Sequence, residues 1–416
     1  MQKAARALTA LPLIVLGSVS VGTQGPGQRP VQLPEGPGKE LVQTACAKCH
    51  SLNLISSSWG NTREGWRDLF ASMVALPAGD ADTVATYLAT HFPTKPAPEG
   101  KATPGPAQVS FKEWLIPTLG SRPHDPLAAR DGAVWWTGMF SNKLGRVDPK
   151  TGQIREFPLT EGRNAQPHGL VEGPDGSIYY TGIAKNVIGR LNPETGEVRE
   201  YPVSAEGTRG PHTPIMDARG MVFFSMQSGH VGRLNPATGE TKIVAAPSQP
   251  AYPYGMVTDS KGTVWYVDFR GPRLASVDPV TMAIKEYTLP NAEARPRRIA
   301  ITPDDVVFYT DYARGFLGRF DTKTGAIAEW ASPGGPASRP YGIAFSRGAV
   351  WYSESGVRPN TLVQFNPRTA QFQSWVIPAG GGVVRNMMAF ANGNLALAES
   401  GLNRVALVEI TNPGTH

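Results

Sequence analysis

Three sets of residues in this chain have types and spacings that could do chemistry. The first is Cys46-Ala47-Lys48-Cys49-His50, a C-x-x-C-H run that uses both cysteines of the sequence. Two thiols on one helical turn can each bond a haem vinyl group, and the adjacent imidazole then reaches the iron from one face. A zinc site would need further cysteines, and a thioredoxin-like pair would sit beside a βαβ pattern that is absent. The plain alternative is a chance motif. The second set concerns the opposite face of that iron. Met73 is the only methionine between Gly36 and Phe92, and a thioether opposite histidine raises the iron potential and suits electron transfer. His91 competes for this role, an open or water-bound iron is a third option, and Met73 could simply pack beside Phe70. The third set is His124, His168 and His212, three of the seven histidines, at a spacing of 44 residues. Converging imidazoles could hold a second, transition metal, supply a general base, or merely fill space.

The elements that must position the first two sets are short helices. Pro34 to Gly38 breaks the chain, and Lys39 to His50 reads as a helix carrying the motif. Trp66, Leu69, Phe70 and Met73 recur at helical spacing between Glu64 and Ala75. Asp80 is placed to cap a third helix that shows Val84, Tyr87, Leu88 and His91 on one side. Residues 36–92 resemble the small class of cytochrome c domains, which implies covalent haem c held by Cys46, Cys49 and His50, with Met73 as the sixth ligand.

Ahead of this unit lies a targeting segment. Lys3 and Arg6 precede an apolar run from Leu8 to Val21, the layout of a secretory signal. Residues 1–23 are assigned to it, with cleavage between Ser18 and Gln24; an uncleaved N-terminal anchor is the alternative. Residues 24–35 form a flexible lead. An exported, periplasmic protein with no membrane span in its mature part is expected. Behind the helical unit, residues 93–107 read PTKPAPEGKATPGPA, a proline-rich composition that predicts a semi-rigid tether.

The remainder, 108–411, is an internal repeat. One column at the start of an apolar strand holds His124, His168, His212, Tyr254, Arg297, Tyr341 and Arg385, and it recurs every 42 to 44 residues. A turn, an aromatic strand such as Val134-Trp135-Trp136-Thr137, a third strand such as Ile188-Gly189-Arg190-Leu191, an Asn/Asp-Pro-x-Thr-Gly turn and a fourth strand follow. Four strands at this period make a propeller blade. Seven starts predict seven blades. The last lacks a fourth strand, and Phe111 to Pro117 looks like one, so this N-terminal strand should close the ring. The fold class is therefore multidomain α plus all-β. The chain's 46 glycines and 38 prolines fit that reading. Its net charge of +6, spread over 416 residues, makes no case for nucleic acid.

The repeat motifs, Pro-His-Gly with Ile-Gly-Arg-Leu-Asn-Pro-Glu-Thr-Gly, resemble those of the streptogramin (virginiamycin) B lyase family. That resemblance implies a seven-bladed propeller and a magnesium-assisted elimination on a cyclic peptide ester. The family's two histidines are joined by one acid two residues before the second histidine and by another ending that blade's second strand. For His124/His168 those places hold Gln166 and Gly182; for His168/His212 they hold Gly210 and Met226. Neither pair offers the carboxylates a hard magnesium ion needs. The acids instead end second strands in the other half of the ring, at Asp268, Asp311, Glu354 and Glu399, and both columns are expected to line one end of the channel. Tyr254, Arg297, Tyr341 and Arg385 are ligand-binding candidates there. Arg297, Arg298 and Arg385 would favour an anion, unless they pair with those acids. Two functions follow as expectations: a periplasmic haem electron-transfer protein whose propeller binds a small anionic substrate or a redox partner protein, or a carbon–oxygen lyase with an accessory haem domain.

Overall fold

Each repeat unit folds into a four-stranded antiparallel sheet, and there are seven such sheets. The computed structural model describes residues 31–47 and 51–411. In blade 1 the strands are Pro123–Ala128, Val134–Gly138, Lys143–Val147 and Ile154–Pro158, in that order from the channel outward. The aromatic second strands are wholly buried because both faces meet neighbouring blades; Trp136, Tyr180, Phe224, Tyr309 and Tyr352 are all inaccessible. The glycine of the third strand makes room for them. A Cβ on Gly189 would lie 2.0 Å from the Tyr180 ring, and one on Gly145 2.0 Å from Trp136. The Ile-Gly-Arg-Leu motif is thus a packing motif.

The ring closes as the repeat arithmetic predicts. Gln108–Leu115 pairs with Arg404–Thr411, from Gln108↔Thr411 to Leu115↔Arg404, and completes the seventh sheet. The closing strand begins three residues before Phe111 and stops at Leu115, because Ile116 turns inward, fully buried, and donates its N–H to Asn403 O at 2.9 Å. Closure covers the edge of Arg404–Thr411 that would otherwise be left open.

Hydroxyls stitch the blades together near the channel. Thr137 Oγ1 accepts the Asp125 N–H and donates to His168 O in the next blade, at 3.1 and 2.9 Å. Thr181 repeats this with Gly169 N–H and His212 O, Ser225 with Thr213 and Tyr254, Thr310 with Arg298 and Tyr341. These bonds occupy the peptide groups freed where each inner strand shifts register just after the histidine column. They also set the spacing between successive column residues.

The helical unit comprises Lys39–Cys46, Asn53–Ser56, Arg63–Ala71 and Ala78–His91, around Val42, Trp66, Phe70, Val84 and Leu88. Three expectations are corrected here. The first helix ends at Cys46, short of His50. Helix Arg63–Ala71 stops before Met73, which sits in the following turn with its N–H on Phe70 O at 2.8 Å. Asp80 is not a cap: Pro77 holds that position, and Asp80 lies in the first turn, where its charge favours the helix N-terminus. The signal run and the Cys49–His50 pair lie outside the described residues. Among the described residues no helix is long and apolar enough to cross a membrane.

The proline-rich segment is not a free tether. Thr103 and Ser374 exchange backbone hydrogen bonds at 3.1 and 3.0 Å, Arg358 N–H donates to Pro98 O, and Gln373 holds both polar groups of the Ala107 backbone. Proline removes donors but leaves carbonyls; Arg358, in the loop between the second and third strands of blade 6, takes Pro98 O, and the outer strand of that blade takes those of Lys101, Thr103 and Ala107.

Candidate functional site

Two loops carry the helical unit onto one end of the propeller. Gly120 N–H, in the loop leading to the inner strand of blade 1, donates to Ser72 O at 2.9 Å. Arg358, in the loop between the second and third strands of blade 6, donates to Gly60 O at 3.2 Å. Both loops belong to the end at which the histidine column begins. Cys46, half-buried, packs with Leu52, Leu69 and Val74 on the core of the helical unit. Met73 follows Ser72 directly and lies against Gly120. His91 stands elsewhere, against Tyr87 and Gly36. Gly36 precedes the first helix and Cys46 ends it, so the eight residues of that helix, about 12 Å long, lie between them.

At the channel, the structure brings the three histidines together. The rings of His124 and His168 have centroids 3.6 Å apart, those of His168 and His212 3.7 Å, and Tyr254 continues the stack at 4.0 Å from His212. Tyr254 and Tyr341 then share a hydrogen bond between hydroxyls at 2.6 Å. Arg297 is enclosed by rings, its guanidinium carbon 3.9 Å from the centroid of Tyr341, 4.3 Å from Tyr312 and 4.5 Å from Phe269. From His124 to Tyr341 the column is a run of planar groups, with Arg297 between the two tyrosines, and all five of the His and Tyr rings are buried.

One residue further along, the alternate column seals the channel. Its members are Asp125, Gly169, Thr213, Gly255, Arg298, Gly342 and Asn386. The glycines lie where inner strands touch: a Cβ on Gly169 would sit 2.2 Å from Pro214 Cδ. The remaining side chains meet on the axis. Asp125 Oδ1 accepts from Arg298 Nη2 at 2.6 Å and lies 2.9 Å from His124 Nδ1, and Oδ2 accepts from Asn386 at 3.1 Å. Arg298 also donates to Thr213, whose hydroxyl is 2.9 Å from His212 Nδ1. Of the three histidine Nδ1 atoms, that of His168 alone has no hydrogen-bond partner; Arg298 Nε has none either. Sequence reasoning missed Asp125, Thr213 and Asn386, because the column begins one residue earlier. Applying the same 42-to-44-residue step to the following position would have found them.

Burial holds the three imidazoles neutral. Their pKa values lie well below the usual histidine value, first through desolvation, then through Arg385 and Arg298 at His124 and through the neighbouring histidine at His168 and His212. Burial raises Tyr341, but Arg297, Arg385 and Arg298 outweigh it and the net shift is downward; Tyr254 moves up. Arg122, in the leading loop of blade 1, falls to about 9 through burial and Arg385.

Three of the acids ending the second strands, Asp268, Asp311 and Glu354, are not free carboxylates in the channel; the fourth, Glu399, is buried beside Glu113, and burial followed by Glu113 raises its pKa well above the usual carboxylate value. Asp268 accepts the Tyr252 N–H at 2.8 Å and pairs with Arg273; Asp311 accepts the Arg295 N–H and pairs with Arg314. Glu354 binds Ser332, Gly334 and Thr361. Each clamps the loop leading into its own blade. Asn142 and Asn186, each from the preceding blade, hold the loops leading into blades 2 and 3, whose second strands end in Gly182 and Met226 rather than an acid. Hence Arg297 and Arg385 do not pair with this column, and Arg298 pairs with Asp125 instead. The one described cluster able to hold a metal is His124, Asp125 and His168, whose ligand atoms lie within 4.8 Å of one another. Both Asp125 oxygens are already engaged, one by a guanidinium.

A closed ring of seven four-stranded blades, with a column of polar planar residues at one mouth, defines a β-propeller of the lyase-like kind. The match to the virginiamycin B lyase family extends over residues 101–410, and the chain belongs to that family. Solved structures share the fold. A structure of streptogramin B lyase aligns with a TM-score of 0.66 at 23% identity, covering 73% of this chain and 98% of the other. A catalytically inactive virginiamycin B lyase from Staphylococcus aureus with quinupristin aligns at 0.66 and 20% identity, covering 72% and 99%. Hydrazine synthase from Kuenenia stuttgartiensis aligns at 0.59 and 13%, covering 71% and 97%. No curated protein matches.

Proposed function

We propose that this is an exported c-type haem electron-transfer protein whose propeller mouth binds a small anionic substrate or a redox partner. The observation that carries the reading is Cys46-x-x-Cys49-His50 in a helical unit docked on the same end of the propeller as the histidine column. Cys46, Cys49, His50 and Met73 are the residues that would hold the group. The described part of the unit fits: Cys46 ends a helix on an apolar core, and Met73 lies in the turn that follows helix Arg63–Ala71. Bound haem supplies one-electron chemistry. The propeller's residues select and orient what approaches; the neutral His124–His168–His212 stack and the Tyr254–Tyr341 pair form a buried layer of proton acceptors and donors just beneath the mouth. Purified periplasmic protein tests the reading: haem that stays with the polypeptide through acid–acetone extraction supports it, and haem that leaves refutes covalent attachment.

Family membership favours a second reading, a carbon–oxygen lyase with an accessory haem domain. It requires a metal between histidines, and His124, Asp125 and His168 are the residues to hold one. Against it stand Gln166, Gly182, Gly210 and Met226 where the family pattern has acids, and Arg298 already paired with Asp125. Elemental analysis separates the readings: iron alone favours electron transfer, and a second metal lost on His168→Ala favours the lyase.

A further inference from the structure

The propeller mouth carries positive charge that it does not neutralise. Of Arg122, Arg297, Arg298 and Arg385, only Arg298 has a carboxylate within ion-pair distance among the described residues. Arg297 Nε and Arg385 Nε are buried without an acceptor. The nearby acids are committed to their own loops, Asp268 to Arg273 and Asp311 to Arg314. A guanidinium stays charged at neutral pH, and leaving several unpaired and partly desolvated in one place is unfavourable. Even an ionised Tyr341 would offset only one of the three.

Access distinguishes these arginines from the sealed layer beneath. Arg122, Arg297 and Arg385 are partly exposed, as are Tyr252, Phe269 and Tyr312 beside them, whereas the histidines are buried. Aromatic rings crowd the Arg297 guanidinium and Tyr254 takes one of its N–H groups, which leaves the rest of its N–H edge for an acceptor lying in its own plane. A carboxylate has that shape, accepting two parallel N–H bonds. The flanking rings suit an organic skeleton rather than a hydrated inorganic ion.

We propose that Arg122, Arg297 and Arg385 form a receptor for an organic carboxylate, whose carbon skeleton lies against Tyr252, Phe269 and Tyr312. This rests on the reading of the mouth as an anion site, and it is independent of the haem.

Calorimetric titration of the full-length protein with benzoate, acetate and inorganic phosphate, at constant ionic strength, tests it. Benzoate should bind saturably at one site, acetate more weakly and phosphate weakest. Arg385→Gln or Arg297→Gln should weaken benzoate on the order of tenfold or more, the loss of a charge-assisted bond. Arg190→Gln, a surface residue paired with Asp175, should leave it unchanged. A readout on the unmodified protein covers variants that fail to fold: benzoate should shift tyrosine ionisation to higher pH, because it neutralises the arginines that hold Tyr341 down. No saturable binding, phosphate at least as tight as benzoate, or equal affinity in the arginine variants overturns the proposal. Covalent haem with no carboxylate binding would sink this inference alone; carboxylate binding without haem would sink the electron-transfer reading alone.

Discussion

Acid should weaken the propeller by a predictable amount, because three imidazoles are buried neutral in one stack. Their native pKa values are depressed by burial and by neighbouring arginines and histidines. In the unfolded chain each returns to about 6.5. Above that pH both states hold the rings neutral and nothing is gained or lost. Below it the unfolded state takes up protons that the native state refuses, so stability falls as pH falls. At pH 5.5 each histidine costs about 1.4 kcal/mol, and the three together about 4 kcal/mol, relative to neutral pH. Carboxylates and other histidines contribute as well, so the decisive quantity is a difference between variants. His168, whose Nδ1 makes no hydrogen bond, can be changed to glutamine with least disturbance. Urea unfolding at pH 7.5 and 5.5, followed by tryptophan fluorescence, should show the loss on acidification to be smaller by about 1.4 kcal/mol in His168→Gln. Equal losses in the two proteins would mean that His168 is protonated in the native stack, and the assignment of neutral rings would be wrong.

Other outcomes can be measured directly. Thr181→Val strips the partners of the Gly169 N–H and His212 O; it should cost about 1–3 kcal/mol, seen as a lowered urea midpoint, and more than the surface change Thr195→Val. Gly189→Ala should destabilise by about 1–3 kcal/mol, because the new methyl meets the Tyr180 ring. A chain beginning at Gly120 lacks the closing strand and should aggregate where one beginning at Gln108 stays monodisperse in size-exclusion chromatography. Proteolysis at Lys101 should be slow, and Ser374→Pro, which removes the N–H and hydroxyl that hold Thr103 and Lys101, should speed it.

Much of the architecture was legible from the repeat alone. A 42-to-44-residue period, an aromatic strand and an Asn/Asp-Pro-x-Thr-Gly turn are local patterns, and each dictates a local element, so blade number and ring closure follow by counting. The histidine column was legible for the same reason: a residue's place in a repeat determines its place around the axis. Its chemistry was not. Whether Arg298 pairs with Glu399 or with Asp125 depends on which side chains meet across the channel, and Asp125 lies 173 positions away. Asp268, Asp311 and Glu354 at second-strand ends looked like site residues because topology brings them to the mouth, yet their oxygens go to loop N–H groups and to neighbouring arginines or hydroxyls that no pattern announces. The proline-rich segment shows the same division. Its composition describes the isolated chain, whereas its docking depends on carbonyl acceptors finding the free edge of a strand more than 260 residues later. Periodicity encodes what neighbours in sequence do together; charge compensation and edge pairing are decided only when distant segments meet, because hydrogen bonds and ion pairs act over a few ångströms of space and take no account of distance along the chain.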